Sequence, residues 1–208
     1  MRNVCLSILS AAAVFGLTAV SMVNADVPPA SNIPAYTADG GLQPQPLANY
    51  RTWIFLSSGV DMRYSKEGSA MSSSVFDNVF VNPEAYQAFL ETGTWPEQTM
   101  LVLEVRQGTS KGSINQHGSY QNDSKLGLEV HVKDSKRFPS TGWAFFDVAE
   151  NGSGRLLPMT EDCYSCHRDH AAVDTTFVQF YPTLLGLAEK KGTLSAAYRA
   201  EQAAPAKK

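Results

Sequence analysis

Cys163 and Cys166 stand two residues apart, His167 follows directly, and the only other cysteine in the 208 residues is Cys5. No other stretch constrains the chain as much. Two cysteines this close make a poor staple, because a disulfide stabilises by closing a loop and the gain shrinks with the loop. If both sulfurs are used, the fold must present them on one short segment, late in the chain, beside whatever they bond. On successive turns of a helix, two thiols can each add to one of two adjacent vinyl groups on a porphyrin edge. The next residue then carries its imidazole to the metal. A neutral imidazole nitrogen is a good donor for iron in both redox states. The other ring nitrogen then calls for a carbonyl or carboxylate partner, which sets the ligand's strength. Cys163-Tyr164-Ser165-Cys166-His167 thus predicts one covalent haem c, bound through Cys163 and Cys166, with His167 as the metal ligand.

Three other readings stay open. A thiol–disulfide exchange centre uses two cysteines at this separation, although the preceding Leu157-Pro158-Met159-Thr160-Glu161-Asp162 does not look like the end of a strand in a βαβ unit. Zinc held by Cys163, Cys166, His167 and His170 is a second, but these four ligands are more cramped than the usual zinc spacings. An accidental match is the third.

The opening residues give the chain an address. Met1-Arg2-Asn3 is short and basic, Val4 to Val20 is almost wholly apolar or small, and Ser21-Met22-Val23-Asn24-Ala25 ends it with residues that a signal peptidase reads. This is the pattern of a secretory signal peptide over residues 1–25, which places Cys5 in the discarded piece and the remaining protein in the periplasm. An uncleaved anchor is the alternative, with an apolar run that is marginal for a span of about 20 residues. No later stretch is long and apolar enough to cross a bilayer. A formal charge of −3 gives no case for nucleic acid or an anionic membrane surface as partner.

Residues 26–48 hold five prolines and read as an extended lead-in. Strands are predicted from Trp53 to Leu56, Val75 to Val81, Thr99 to Arg106, Leu126 to Val132 and Trp143 to Val148, with a loop over 65–74 and a glycine- and serine-rich connection over 107–124. Leu126, Leu128, Val130 and Val132 alternate as an inward row, leaving Glu129 and His131 outward. Asn82-Pro83-Glu84 starts a short helix as capping residue, proline and acid, and Gly93 stops it. A helix accompanies the cysteine motif and another covers roughly Pro182 to Lys191. The expectation is a mainly β (α+β) fold: an antiparallel β domain, a short helix after the second strand, and C-terminal helices carrying the haem motif. The haem domain spans 49–192, and 193–208 is a mobile tail.

The second iron ligand decides between a carrier and a binder of small molecules. His117 lies in a polar loop, His131 on an outward face, and His170 too near His167 to reach the far side of a ring. Met62, Met71 and Met100 are the methionine candidates. An open or weakly occupied sixth position is expected.

The late cysteine motif, Asp174 and Phe177-Val178-Gln179-Phe180-Tyr181-Pro182 after it, and Asn49-Tyr50-Arg51-Thr52-Trp53, Gly127-Leu128-Glu129, Lys133-Asp134-Ser135-Lys136-Arg137-Phe138 and Trp143-Ala144-Phe145 before it together resemble the cytochrome P-460 family, which includes the cytochromes called c′-beta. The likeness covers about residues 49–190. It implies a mainly β fold, often dimeric, with a pentacoordinate haem c. Members called P-460 oxidise hydroxylamine and sometimes nitric oxide, and a lysine of theirs bonds a porphyrin meso carbon. Members called c′-beta lack that bond and bind nitric oxide or carbon monoxide in an apolar pocket. Leu103, just before Glu104, holds the place of the cross-linking lysine. Lys111 and Lys125 are the nearest alternatives, and both lie in or beside the polar connection.

The resulting expectation is an exported mono-haem c-type cytochrome that binds a small ligand such as nitric oxide or carbon monoxide, transfers electrons, or both. A redox partner protein and a homodimer go with it. Leu103, Phe76, Phe80 and Phe145 are the candidate distal wall. Arg51, Lys133, Lys136 and Arg137 are candidates to pair with the haem propionates. The alternative is a hydroxylamine-oxidising enzyme, which needs a proton acceptor such as Asp147, Glu161 or Asp162.

Overall fold

The structure is a computed structural model that describes residues 32–62, 73–114 and 116–204. The leader expected over 1–25, nearly all of the loop expected over 65–74, and Met71 lie outside the described residues.

Among the described residues six strands form one antiparallel sheet in sequence order: β1 (Ile54–Val60), β2 (Val75–Val81), β3 (Met100–Thr109), β4 (Tyr120–Lys133), β5 (Trp143–Val148) and β6 (Gly154–Leu156). Helix α1 (Pro83–Thr92) lies between β2 and β3. Three helices follow the sheet: α2 (Asp162–His170), α3 (Leu185–Lys191) and α4 (Ala196–Ala203). The mainly β (α+β) expectation is met.

α1 begins and ends where the sequence places it. Asn82, however, makes no side-chain cap. Its Oδ1 accepts from the Met100 amide at 2.8 Å and its Nδ2 donates to the Gln98 carbonyl, so the residue ties the helix start to β3. Gly93 closes the helix at φ 76, and a Cβ there would lie 2.8 Å from the Lys191 Cβ. A left-handed backbone without room for a methyl requires glycine. Gly93→Ala is therefore expected to destabilise by about 1–2 kcal/mol, read as a lowered urea midpoint at unchanged slope.

Both faces of the sheet are covered, which the alternating pattern does not reveal. One face carries Val81, Leu101 and Trp143 and packs on Ala85 and Phe89 of α1, Ala188 of α3, and the Val173–Leu184 segment. The opposite face carries Phe80, Val102, Leu128, Val130, Val132 and Phe146 and packs on Leu42, Leu47 and Trp53. The lead-in thus contributes core: Leu42 is fully buried, and its backbone pairs with Gly154 on the β6 edge. Two further expectations change. Register shifts in the β3–β4 pairing, between Val105 and Arg106 and between Arg106 and Gly108, take Leu126 out of its row and leave it exposed. His131, read as outward, is buried because its face is the one the helices cover. Within the expected tail, 196–203 is a helix whose Ser195 side chain accepts from the Tyr198 amide, and it lies against α2.

Candidate cofactor site

Between the helix-covered sheet face and α2, α4 and the 3-10 turn Val178–Phe180 lies a cavity of about 810 Å³. That is the upper range of small-molecule and cofactor sites, about 300–1,000 Å³. β2 and β3 supply Val75, Val79, Leu101, Leu103 and Val105 to the wall, and β4 and β5 supply Glu129, His131 and Phe145. These side chains share a face because residues two apart along a strand do and because the antiparallel register aligns Val79 with Leu103, Leu103 with Glu129, and Leu101 with His131.

The cysteine motif fills the first two turns of α2. Cys163, Cys166 and His167 line the cavity together, since positions three and four apart share a helix face. The His167 Nδ1 lies 2.8 Å from the Thr175 carbonyl oxygen. A carbonyl can only accept, so Nδ1 carries the proton and donates, and Nε2 keeps its lone pair for a metal. Burial pulls the His167 pKa down to about 4, against the opposing pull of the Thr175 bond. At neutral pH the ring is the neutral, ligating form. It is packed between Phe177, at 4.1 Å between ring centroids, and Phe145, at 4.7 Å. His131 stacks on Phe145 at 3.9 Å and meets the edge of His167 at 5.1 Å. Its buried Nε2 has no hydrogen-bond partner among the described residues, and burial followed by the neighbouring His167 holds its pKa well below the ordinary value.

The two competing uses of the cysteines fit poorly. Burial raises the pKa of both half-buried thiols, whereas an exchange centre needs a depressed one. Among the described residues no group of three or more His, Cys, Asp or Glu is placed to hold a metal ion, so the zinc tetrad is not assembled. His170 pairs with Glu201 on α4, 3.3 Å from its Nδ1, and both line the cavity.

Leu103 and Phe145 line the cavity, but Phe145 lies against the His167 ring and not across from it, and Phe76 and Phe80 do not line it. Val75, Asp77 and Val79 take the cavity-facing places on β2, and alternation sends both phenylalanines to the opposite face, where Phe76 lies across from Arg106. Met100 is fully buried in that opposite core, Met62 is half-exposed at the cavity rim, and His117 is exposed on the β3–β4 loop. Among the described residues no lysine or arginine lines the cavity. Lys111 and Lys125 are exposed. Arg51 pairs with Glu104 on the far face, Lys133 pairs with Asp174, and Arg137 lies over the Tyr36 ring. Asp147 pairs with Arg155 outside the cavity, and Glu161 and Asp162 are exposed at the start of α2. Of the acids that line the cavity, Asp61, Asp77, Glu129 and Glu201, it is Glu129 that lies directly across from Leu103. Burial, then Asp147 and Asp77, raises its pKa. Only the strand register could have found it.

An imidazole of fixed tautomer, two thiols on the same helix face, an apolar wall and an orphaned buried nitrogen make a donor set that can hold a flat, iron-bearing macrocycle. No curated protein matches the chain. The family described as Cytochrome P460 matches residues 47–178, more than half of the chain. The chain belongs to the cytochrome P460 family and is a haem-binding cytochrome.

Proposed function

We propose that the protein is an exported mono-haem c-type cytochrome whose haem is bonded to Cys163 and Cys166, with His167 as its protein ligand and the other axial position open to a small neutral gas. Bound there, the haem would supply an iron able to take a small ligand and to exchange single electrons. The chain does the rest. Thr175 fixes the His167 tautomer, Phe145 and Phe177 hold the ring's plane, and Val79, Leu101, Leu103 and Val105 exclude water from the wall. These four aliphatic side chains carry no donor to stabilise a polar bound oxygen, whereas nitric oxide and carbon monoxide need less help.

One observation carries this reading. The second buried imidazole of the cavity, His131, sits beside the His167 ring and touches it, so it shares the proximal side and does not face His167 across the cavity. Two imidazoles placed so cannot bracket one iron. The expected outcome is a reversible change in the absorption spectrum of the reduced protein on adding carbon monoxide. A reduced spectrum that is six-coordinate and does not respond overturns the reading.

Glu129 favours a second reading, oxidation of hydroxylamine. It is a carboxyl at the cavity wall, biased toward holding a proton, so it can take protons from a substrate bound near it. The enzyme reading predicts hydroxylamine turnover that Glu129→Gln abolishes while carbon monoxide binding persists. The gas-binding reading predicts no turnover, in keeping with Leu103 at the place where the oxidising members carry a lysine.

A further inference from the structure

The Thr175 carbonyl that meets His167 belongs to a four-residue turn, Val173–Thr176, closed by backbone bonds between its ends, Thr176 N to Val173 O at 2.8 Å and Val173 N to Thr176 O at 3.3 Å. Its two central residues are both left-handed, Asp174 at φ 51 and Thr175 at φ 58. That is the backbone of a type I′ turn, which favours Asn-Gly or Asp-Gly. Asp tolerates the first position. A β-branched threonine at the second is an outlier, and such outliers persist only where the surroundings over-determine them.

The surroundings do so from both ends. The Asp174 carboxylate is ion-paired with Lys133, the last residue of β4, and accepts from the Trp143 Nε1 of β5 at 3.3 Å. Lys133 also donates to the Trp95 carbonyl at 2.8 Å. The Trp95 indole in turn donates to the Thr176 Oγ1 at 2.8 Å, and that hydroxyl donates to the Val173 carbonyl at 2.6 Å. Lys133, Trp143 and Trp95, from three separate parts of the chain, thus clamp the turn on either side of Thr175.

We infer that Asp174, gripped by Lys133 and Trp143, is a positioning residue. It holds the strained turn so that the Thr175 carbonyl takes the proton-bearing Nδ1 of His167, and it thereby sets how strongly His167 donates to iron. This rests on the haem reading above. A stronger Nδ1–H···O bond makes the imidazole a stronger donor and favours ferric iron, and a loosened one favours ferrous. Losing an outer-shell partner of a metal-bound histidine commonly changes affinity or activity about 10–100-fold. Asp174→Asn keeps an acceptor for Trp143 and removes the charge that Lys133 grips.

The test compares the haem-loaded wild type with Asp174→Asn by redox titration, resonance Raman of the iron–histidine stretch, and thermal melting. The expected result is a higher reduction potential, a ferrous-to-ferric ratio raised about tenfold at fixed solution potential, and a stretch at lower frequency. The control Asp39→Asn, at an exposed acid that bonds Thr37 away from the cavity, should change neither. If Asp174→Asn melts earlier with potential and stretch unchanged, Asp174 is only structural and the inference falls. If Asp174→Asn does not fold, Lys133→Met carries the same expectation and the same outcome overturns it. Failure of the haem reading is a separate result, because wild type would then show no iron–histidine stretch at all.

Discussion

Glu104→Ala is expected to lower the unfolding free energy by about 3 kcal/mol, near the bottom of the roughly 3–5 kcal/mol range for breaking a buried ion pair. Glu104 is fully buried on the sheet face away from the cavity. It accepts from Tyr50 and Arg51 of the short 3-10 turn Tyr50–Thr52, from Arg106 at 2.8 Å, and from Asn78 at 3.4 Å. Removing the carboxylate strands Arg106, whose side chain is only 18% exposed, but Arg51 at 56% recovers water. That asymmetry places the loss at the low end. Burial pushes the Glu104 pKa up, yet the bonds from Arg106, Tyr50 and Arg51 outweigh it and hold the value at about 2, against an ordinary 4.5. A depressed folded-state pKa means stability that is present above the unfolded value and lost as pH falls through the folded one. The wild type should therefore lose stability between about pH 4.5 and 2, and the variant should show a shallower loss there. Urea unfolding at pH 7 and pH 3 checks both, and equal pH dependence in the two proteins would remove the assignment.

Replacing Cys163 and Cys166 together by alanine should abolish denaturant-resistant haem, a loss from stoichiometric to none on a haem-stained gel. The thiols sit on one face of α2 at the cavity wall; under the proposed attachment each would supply one bond, so either single variant should retain a weaker band. The double variant should also melt earlier. A cofactor that binds only the folded state adds stability by mass action, and a cavity of about 810 Å³ deprived of covalent attachment loses part of that. A haem band of wild-type strength in the double variant would contradict the assignment.

Much of the frame was legible because it is local. β2 runs Val75–Val81 and β5 runs Trp143–Val148, as predicted, and α1 stops at Gly93 as expected. Local composition marks each of these. That Cys163, Cys166 and His167 share one helix face followed from their spacing alone. Non-local facts were hidden. His131 was read as outward because alternation tells two faces apart but not what covers them, and here the helices bury the second face. Phe76 was assigned to the cavity and Glu129 overlooked for one shared reason. Which residues of β2 and β4 join Leu103 depends on strand register, and register is set by pairing across tens of residues. The Thr175 carbonyl was invisible, since any residue offers a carbonyl and only the Asp174–Thr175 backbone aims this one.

Intact-mass analysis of the protein, made in a host able to attach haem and denatured before measurement, bears most directly on the whole account. It should give the polypeptide plus one haem, with no thiol at Cys163 or Cys166 free to alkylate. A bare polypeptide in which both thiols alkylate would contradict it.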